Sequence, residues 1–165
     1  MNERELIKKA KDKDPDAFTD LIRLHMKDMY RVAIAILMND EDTADAIQDT
    51  ILTCWDRLDS LRNVKYYKTW LTRILINKCY DIRKTKVNQV DLDAVEEPVF
   101  TDVYSIEFQD MLHHLDEKYR VVLMMYYSDG YRIKEISEIL DIPISTVQTR
   151  LARGREQLKR YYEDE

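Results

Sequence analysis

The sequence predicts an all-α protein of two small helical domains, and three observations carry that prediction. Apolar residues recur mostly at spacings of three and four, the period of a helix with one buried face. Leu, Ile, Met, Lys, Glu and Asp abound, while only two Gly and three Pro occur in 165 residues. That scarcity leaves little room for the turns of a β fold. The length suits one ordinary domain or two small ones.

The chain opens with MNERELIKKAKDKD, which lacks the apolar segment of a signal peptide. No apolar run approaches a membrane span, so a cytoplasmic location is expected. The spacing predicts a first helix from Asp16 to Leu37, with Phe18, Leu21, Met29, Val32 and Ile36 among its apolar positions. Asn39-Asp40 marks a turn. A second helix opens near Asp42, and Ala44, Ile47, Ile51, Trp55 and Leu58 form its buried stripe. Asp45, Gln48, Asp49 and Asp56 project from its other faces, and Asp59-Ser60 ends it. After a basic loop, Leu61 to Lys65, a third helix runs from Tyr66 to Lys84. Its stripe is Tyr67, Trp70, Leu71, Ile74, Leu75, Cys79 and Ile82.

Residues 85–104 lose the helical period. They are polar and acidic, contain Pro98, and read as a flexible linker. Domain limits follow at 1–86, 87–104 for the linker, and 105–165. Helices resume near Ser105 with Ile106, Phe108, Leu112 and Leu115, then from Tyr119 to Ser128 with Val122, Leu123, Met125 and Tyr126. Asp129-Gly130 is a stop signal, with Gly130 suited to a positive φ.

The last third, Ile133 to Arg155, reads as a helix-turn-helix. Ile136, Ile139 and Leu140 stripe its first helix. Pro143 breaks that helix, because it lacks an amide donor and restrains the residue before it. Ser145 sits where an N-cap is wanted. Val147, Leu151 and Leu158 turn inward, leaving Thr146, Gln148, Thr149, Arg150, Arg153 and Arg155 outside. Those side chains reach base edges and phosphates in a major groove, which makes DNA the expected partner.

A net charge of −6 looks wrong for a DNA binder, but the distribution is uneven. Residues 1–60 balance to −5, 61–90 to +7, 91–118 to −8 and 119–165 to zero. In the last stretch the basic residues cluster on the second helix of the motif. Two basic islands set between acidic stretches suggest two nucleic-acid contacts and weak binding of free DNA. Cys54 and Cys79 show no metal or redox spacing and read as buried thiols of a reducing compartment. His25, His113 and His114 lack partners at ligand spacing and read as surface or capping residues. No phosphate loop, nucleophile motif or acid–base pair is evident, so neither enzyme activity nor a cofactor is expected.

These motifs carry a resemblance. Tyr119-Arg120-Val121-Val122-Leu123, Asp129-Gly130-Tyr131 and the run from Ile133 to Leu151 resemble the C-terminal domain of bacterial sigma factors. Asp45-Ala46-Ile47-Gln48-Asp49-Thr50 is similar to the polymerase-binding helix of that family. Thr69-Trp70-Leu71-Thr72-Arg73-Ile74, with Asn77 and Asp81-Ile82-Arg83-Lys84, is similar to its promoter-melting helix. The order matches over nearly the whole chain, and only two sigma domains fit, which points to the extracytoplasmic-function type. One departure is Leu115-Asp116, where many relatives have Leu-Pro.

The resemblance implies three contacts. Asp45, Gln48 and Asp49, at i, i+3 and i+4, would meet a basic surface of core RNA polymerase. Without the resemblance they read as a solvated acidic face. Arg62, Asn63, Lys65, Tyr66, Trp70, Arg73, Asn77 and Lys84 mix cations and aromatics suited to melted promoter DNA. A flipped base near Asn63 would be read at its polar edge. Trp70 lies on the apolar stripe, and on periodicity alone it reads as core sooner than as DNA-facing, so Arg62, Asn63, Lys65 and Arg73 rank above it for direct contact. Asn77 and Asp81 read equally as a pair with each other or with Arg73. Ser145, Thr146, Gln148, Thr149, Arg150, Arg153 and Arg155 would read the upstream element. An anti-sigma factor is a partner implied by the family alone. The expected function is promoter-specific initiation with core polymerase. The rivals are a stand-alone helix-turn-helix regulator and a protein–protein adaptor. The reading also expects the helices carrying Asp45 and Gln148 to belong to separate cores.

Overall fold

The computed structural model describes residues 1–88 and 106–163. The acidic linker expected at 87–104 lies outside the described residues, except for its first two. The described residues form eight α-helices: α1 (Glu3–Lys11), α2 (Pro15–Leu37), α3 (Asp40–Arg57), α4 (Tyr67–Asn88), α5 (Ile106–His114), α6 (Glu117–Leu123), α7 (Ile133–Leu140) and α8 (Ile144–Glu163). The all-α expectation holds.

Helix α1 escaped the sequence reading. Its Leu6, Ile7 and Ala10 are buried at helical spacing, and the Asn2 side chain accepts from the Glu5 amide at 2.9 Å. It packs on α2. His25 of α2, expected at the surface, is buried there and bonded to Glu3 at 2.7 Å. Asp14 caps α2, with Pro15 at its first position. Met38 in the left-handed region (φ 58°) ends α2, and Asn39 caps α3 by accepting from the Asp42 amide at 2.8 Å.

The expected stripe of α3 needs a correction. Ala44 is exposed, whereas Thr43, Ala46, Ile47, Thr50 and Cys54 are buried. The counting missed the threonines. Thr50 becomes an acceptable core residue because its hydroxyl donates to the Ala46 carbonyl at 2.7 Å. Helix α4 continues four residues past Lys84, into the stretch expected to be linker.

In the C-terminal half, α6 ends in a π-helical turn, Met124–Ser128, where the Asp129 amide reaches back to the Met124 carbonyl. Gly130 has the expected positive φ of 71°. Helix α7 stops at Leu140 because Asp141 turns left-handed (φ 55°), before Pro143 is reached. Ser145 is not the cap of α8. The helix begins at Ile144, and the Pro143 carbonyl accepts from the Thr146 and Val147 amides. At the Leu115-Asp116 step, the Asp116 amide and carboxylate bond reciprocally to the Gln157 side chain of α8, each at 3.1 Å. A proline there would lack the donor. Gly154 lets α8 approach α6: a Cβ on it would stand 2.8 Å from Leu123 Cδ1.

The two halves pack against each other. Helix α2 meets α6 and the π-turn, and α4 meets α7. Buried apolar side chains from both halves form one contiguous cluster. This corrects the expectation of separate cores, although α3 and α8 themselves are not a packed pair. The reason is visible in α2, where Val32 to Ile36 are five consecutive buried residues. A helix apolar all round needs cover on both sides, and the C-terminal half supplies the second side.

Candidate nucleic-acid interface

Three surfaces carry the residues singled out from the sequence. On α3, Asp45, Gln48 and Asp49 are all exposed and share one face, opposite the buried Ala46, Ile47 and Thr50. Leu52, 60% exposed, extends that face by one turn. The arrangement is a short acidic strip with an apolar end, open to solvent.

The second surface is a cleft of about 560 Å³ at the start of α4. Arg62, Asn63, Tyr66, Trp70 and Arg73 line it, together with Ser60, Leu61, Thr69 and, from α7, Glu138. Five of the eight residues expected to face melted DNA therefore share one cavity. Its floor is built locally. Asn63 caps a 3₁₀ turn, Val64–Tyr66, by accepting from the Lys65 amide at 3.0 Å. That turn swings Tyr66 outward, 54% exposed, while Tyr67 is buried. Trp70 is half-buried, 6.0 Å from the Tyr67 ring, so it both packs against the core and borders the cleft. Lys65, Asn77 and Lys84 are exposed outside the cleft lining. Arg73 donates to the Glu138 carbonyl of α7, and not to Asn77 or Asp81.

The third surface is the exposed side of α8. Ser145, Thr146, Thr149, Arg150 and Arg153 line a cleft of about 230 Å³, closed on its other side by Lys118 and Tyr119 of α6. Val147 and Leu151 are buried as expected, and Leu158 is partly so. Gln148 is exposed beside the cleft. Arg155 donates to the Tyr127 hydroxyl at 2.9 Å, so it is positioned by the π-turn.

Both cysteines are free and buried, and burial pushes each thiol up to about 12. They are inert packing residues, as the sequence suggested. Among the described residues, no group of His, Cys, Asp or Glu is arranged to hold a metal. No helix among them is long and apolar enough to cross a membrane.

Comparison with known proteins places this geometry. Residues 21–87 match sigma-70 region 2, and residues 105–158 match sigma-70 region 4. The chain is 32% identical over 178 aligned positions to the ECF RNA polymerase sigma factor SigW of Bacillus subtilis (strain 168), spanning 96% of this chain and 95% of SigW. The chain belongs to the extracytoplasmic-function sigma factors. Two solved structures share the fold at 23% identity. CnrH, in complex with the cytosolic domain of CnrY, gives a TM-score of 0.74 over 99% of this chain and 98% of that one. RpoE, in complex with the anti-sigma factor NepR from Bartonella quintana, gives 0.76 over 88% of this chain and 96% of that one. This sigma factor binds core RNA polymerase and directs promoter-specific initiation, with regions 2 and 4 recognising the two promoter elements. The stand-alone regulator and the adaptor are thereby set aside.

Sequence reasoning missed the residues that join the two regions. The Thr72 and Tyr131 hydroxyls bond across the seam at 2.5 Å. Lys68 donates to the Asp129 carbonyl at 3.0 Å. Arg120 is buried, and it donates to the carbonyls of Ala35 (2.5 Å), Leu112 and Leu115 (both 3.2 Å). Burial lowers its pKa from the usual guanidinium value, and the neighbouring Glu117 opposes that shift. The one available signal was the sequence setting of Arg120, between Tyr119 and two valines.

Proposed function

We propose that residues 1–86 dock core polymerase and hold the downstream promoter element, that residues 105–165 read the upstream element, and that 87–104 connect them. In this reading Asp45, Gln48 and Asp49 meet a basic polymerase surface through charge-assisted hydrogen bonds. Arg62, Asn63, Lys65, Tyr66, Trp70, Arg73, Asn77 and Lys84 hold melted DNA, with the cleft accepting an unstacked base between Asn63 and Trp70. Ser145, Thr146, Gln148, Thr149, Arg150, Arg153 and Arg155 contact duplex, the arginines and Gln148 being suited to base edges. The observation that carries the reading is the cleft at the head of α4. It brings Arg62, Asn63, Tyr66, Trp70 and Arg73 around one space large enough for a base.

The chain itself catalyses no reaction in this reading; RNA synthesis belongs to the polymerase. It works in the cytoplasm, where core polymerase is found. An anti-sigma factor is its natural inhibitor, a reading supported by the two relatives of like fold that were solved with such partners or partner domains. Run-off transcription from genomic templates, with core polymerase and with or without this chain, tests the proposal. Specific starts that require the chain, and that weaken when Asn63 or Arg73 becomes Ala, support it. Starts insensitive to both substitutions would remove the cleft from the account.

A further inference from the structure

The seam between the halves contains a carboxylate without a proper partner. Asp129 follows the π-turn, and its side chain is fully enclosed, yet neither oxygen has a hydrogen bond. Arg31 of α2 is the nearest cation, at 3.7 Å, too long for a hydrogen bond. Arg31 is shared, lying 3.2 Å from Asp28 on the same helix. Lys68 of α4 is shared too. It bonds to the Asp129 carbonyl, stands 3.5 Å from Asp28 and lies over the Tyr131 ring at 4.5 Å. On α7, Glu135 is engaged with Arg132. Two carboxylates thus compete for two cations, and Asp129, the enclosed one, is the one whose charged form is disfavoured, while Asp28, Arg31 and Lys68 keep part of their water.

We propose that this seam is a proton-sensitive latch: with Asp129 protonated the halves stay closed and the downstream DNA cleft is obstructed, and loss of that proton favours opening. The obstruction is direct. Closure places Glu138 in the wall of the cleft and commits Arg73 to the Glu138 carbonyl. An acidic side chain at the mouth and a spent arginine both oppose a phosphate backbone. The inference rests on the reading of that cleft as the DNA site.

The direction follows from linkage. Desolvation, and then the charge of Asp28, raise the Asp129 carboxyl to about 7 in the closed form. In an open form the same side chain, on a loop in water, titrates as an ordinary carboxylate. The closed form therefore holds a proton that the open form releases. Closure is fully favoured at acid pH and weakens as pH rises through about 7. Between pH 6 and pH 8 the ratio of closed to open molecules falls about tenfold.

Single-molecule energy transfer on the full chain tests this. Dyes placed at Glu41→Cys on α3 and Glu156→Cys on α8 report the separation of the halves. Both positions are exposed, whereas Cys54 and Cys79 are fully buried. The expected result is an open fraction that grows from pH 6 to pH 8 in the native sequence. It stays low and flat in Asp129→Asn, which mimics the protonated acid. In Asp28→Asn the midpoint moves to lower pH, because the like charge is gone. A flat native profile, an unchanged titration in Asp129→Asn, or an unmoved midpoint in Asp28→Asn would each overturn the latch. Run-off transcription at one fixed pH separates this from the functional reading. Promoter-specific starts with a flat transfer profile sink the latch alone. A normal profile without cleft-dependent starts sinks the DNA-cleft reading and leaves the latch as a conformational fact.

Discussion

The acidic face of α3 and the cleft of α4 belong to the same half of the molecule, yet they stand in opposite conditions. Asp45, Gln48 and Asp49 point into solvent and enter no hydrogen bond or ion pair with described residues. The cleft has its arginine tied to α7 and an acidic residue from the other half in its wall. One surface is ready for a partner and the other is held by its own chain. In the proposed reading the difference sets an order of events: the acidic face of α3 engages core polymerase first, and DNA is read once the halves separate.

The largest expected effect comes from breaking the ready surface. Reversing Asp45 and Asp49 to Lys places like charges against a basic partner. Affinity for core polymerase should fall by at least about 30-fold, measured by competition binding, with the thermal midpoint unchanged. Those carboxylates pack against nothing, so a large loss of stability would show the face to be structural. Next is the frame of the other half. Gly154→Leu has no room beside Leu123 and Tyr119, and should cost about 3 kcal/mol in urea unfolding. A neutral result would mean that α8 does not lie so close to α6.

Smaller effects sharpen the comparison. Arg150→Ala and Arg153→Ala should each cost about 1–3 kcal/mol of promoter binding by the polymerase complex, if they contact bases. Arg155→Ala should cost less, because part of its role is contact with Tyr127. Equal losses at all three positions would point to a general phosphate role. The smallest change concerns the seam. Thr72→Val strands the buried Tyr131 hydroxyl and should weaken closure by about 1–2 kcal/mol. Adding Tyr131→Phe should restore most of that loss. A double-mutant cycle read by energy transfer checks the pair, and additive losses would mean that the two hydroxyls act independently.

Much of the fold was legible because helices are specified locally. The stripes of α2 and α4, the turn at Asn39, the positive φ at Gly130 and the inward Val147 and Leu151 all follow from residues within a few positions. The errors have the same origin. Ala44 was assigned to the core in place of Thr43 and Thr50, because a count of apolar residues ignores threonine, although the Thr50 hydroxyl bonds within its own helix. Ser145 was taken as a cap because the rule weighs side chains, whereas here a backbone carbonyl does the work. Helix α1 went unnoticed because Leu6, Ile7 and Ala10 make too short a stripe among eight charged or polar neighbours.

The candidate site divides in the same way. The family resemblance grouped Asn63, Tyr66, Trp70 and Arg73 as one contact, and the structure brings them around one cleft, since consecutive turns of one helix and its leading loop lie together. The resemblance said nothing of Glu138, which arrives from another element 65 residues away from Arg73. The five-residue apolar run of α2, Val32 to Ile36, was read as part of an ordinary stripe, and the need for cover on a second side became visible only with the C-terminal half packed on it.

By itself the sequence determined the helices from α2 onward, most of their buried faces, the charge pattern and the two DNA-reading motifs, because each depends on short-range periodicity and on which side chains are charged. Only the tertiary structure decided that the halves close on each other, that Arg120 is buried against the Ala35 carbonyl and that Asp129 loses its water. Burial and desolvation are properties of what lies opposite a residue, and that is set by packing between elements distant in the chain.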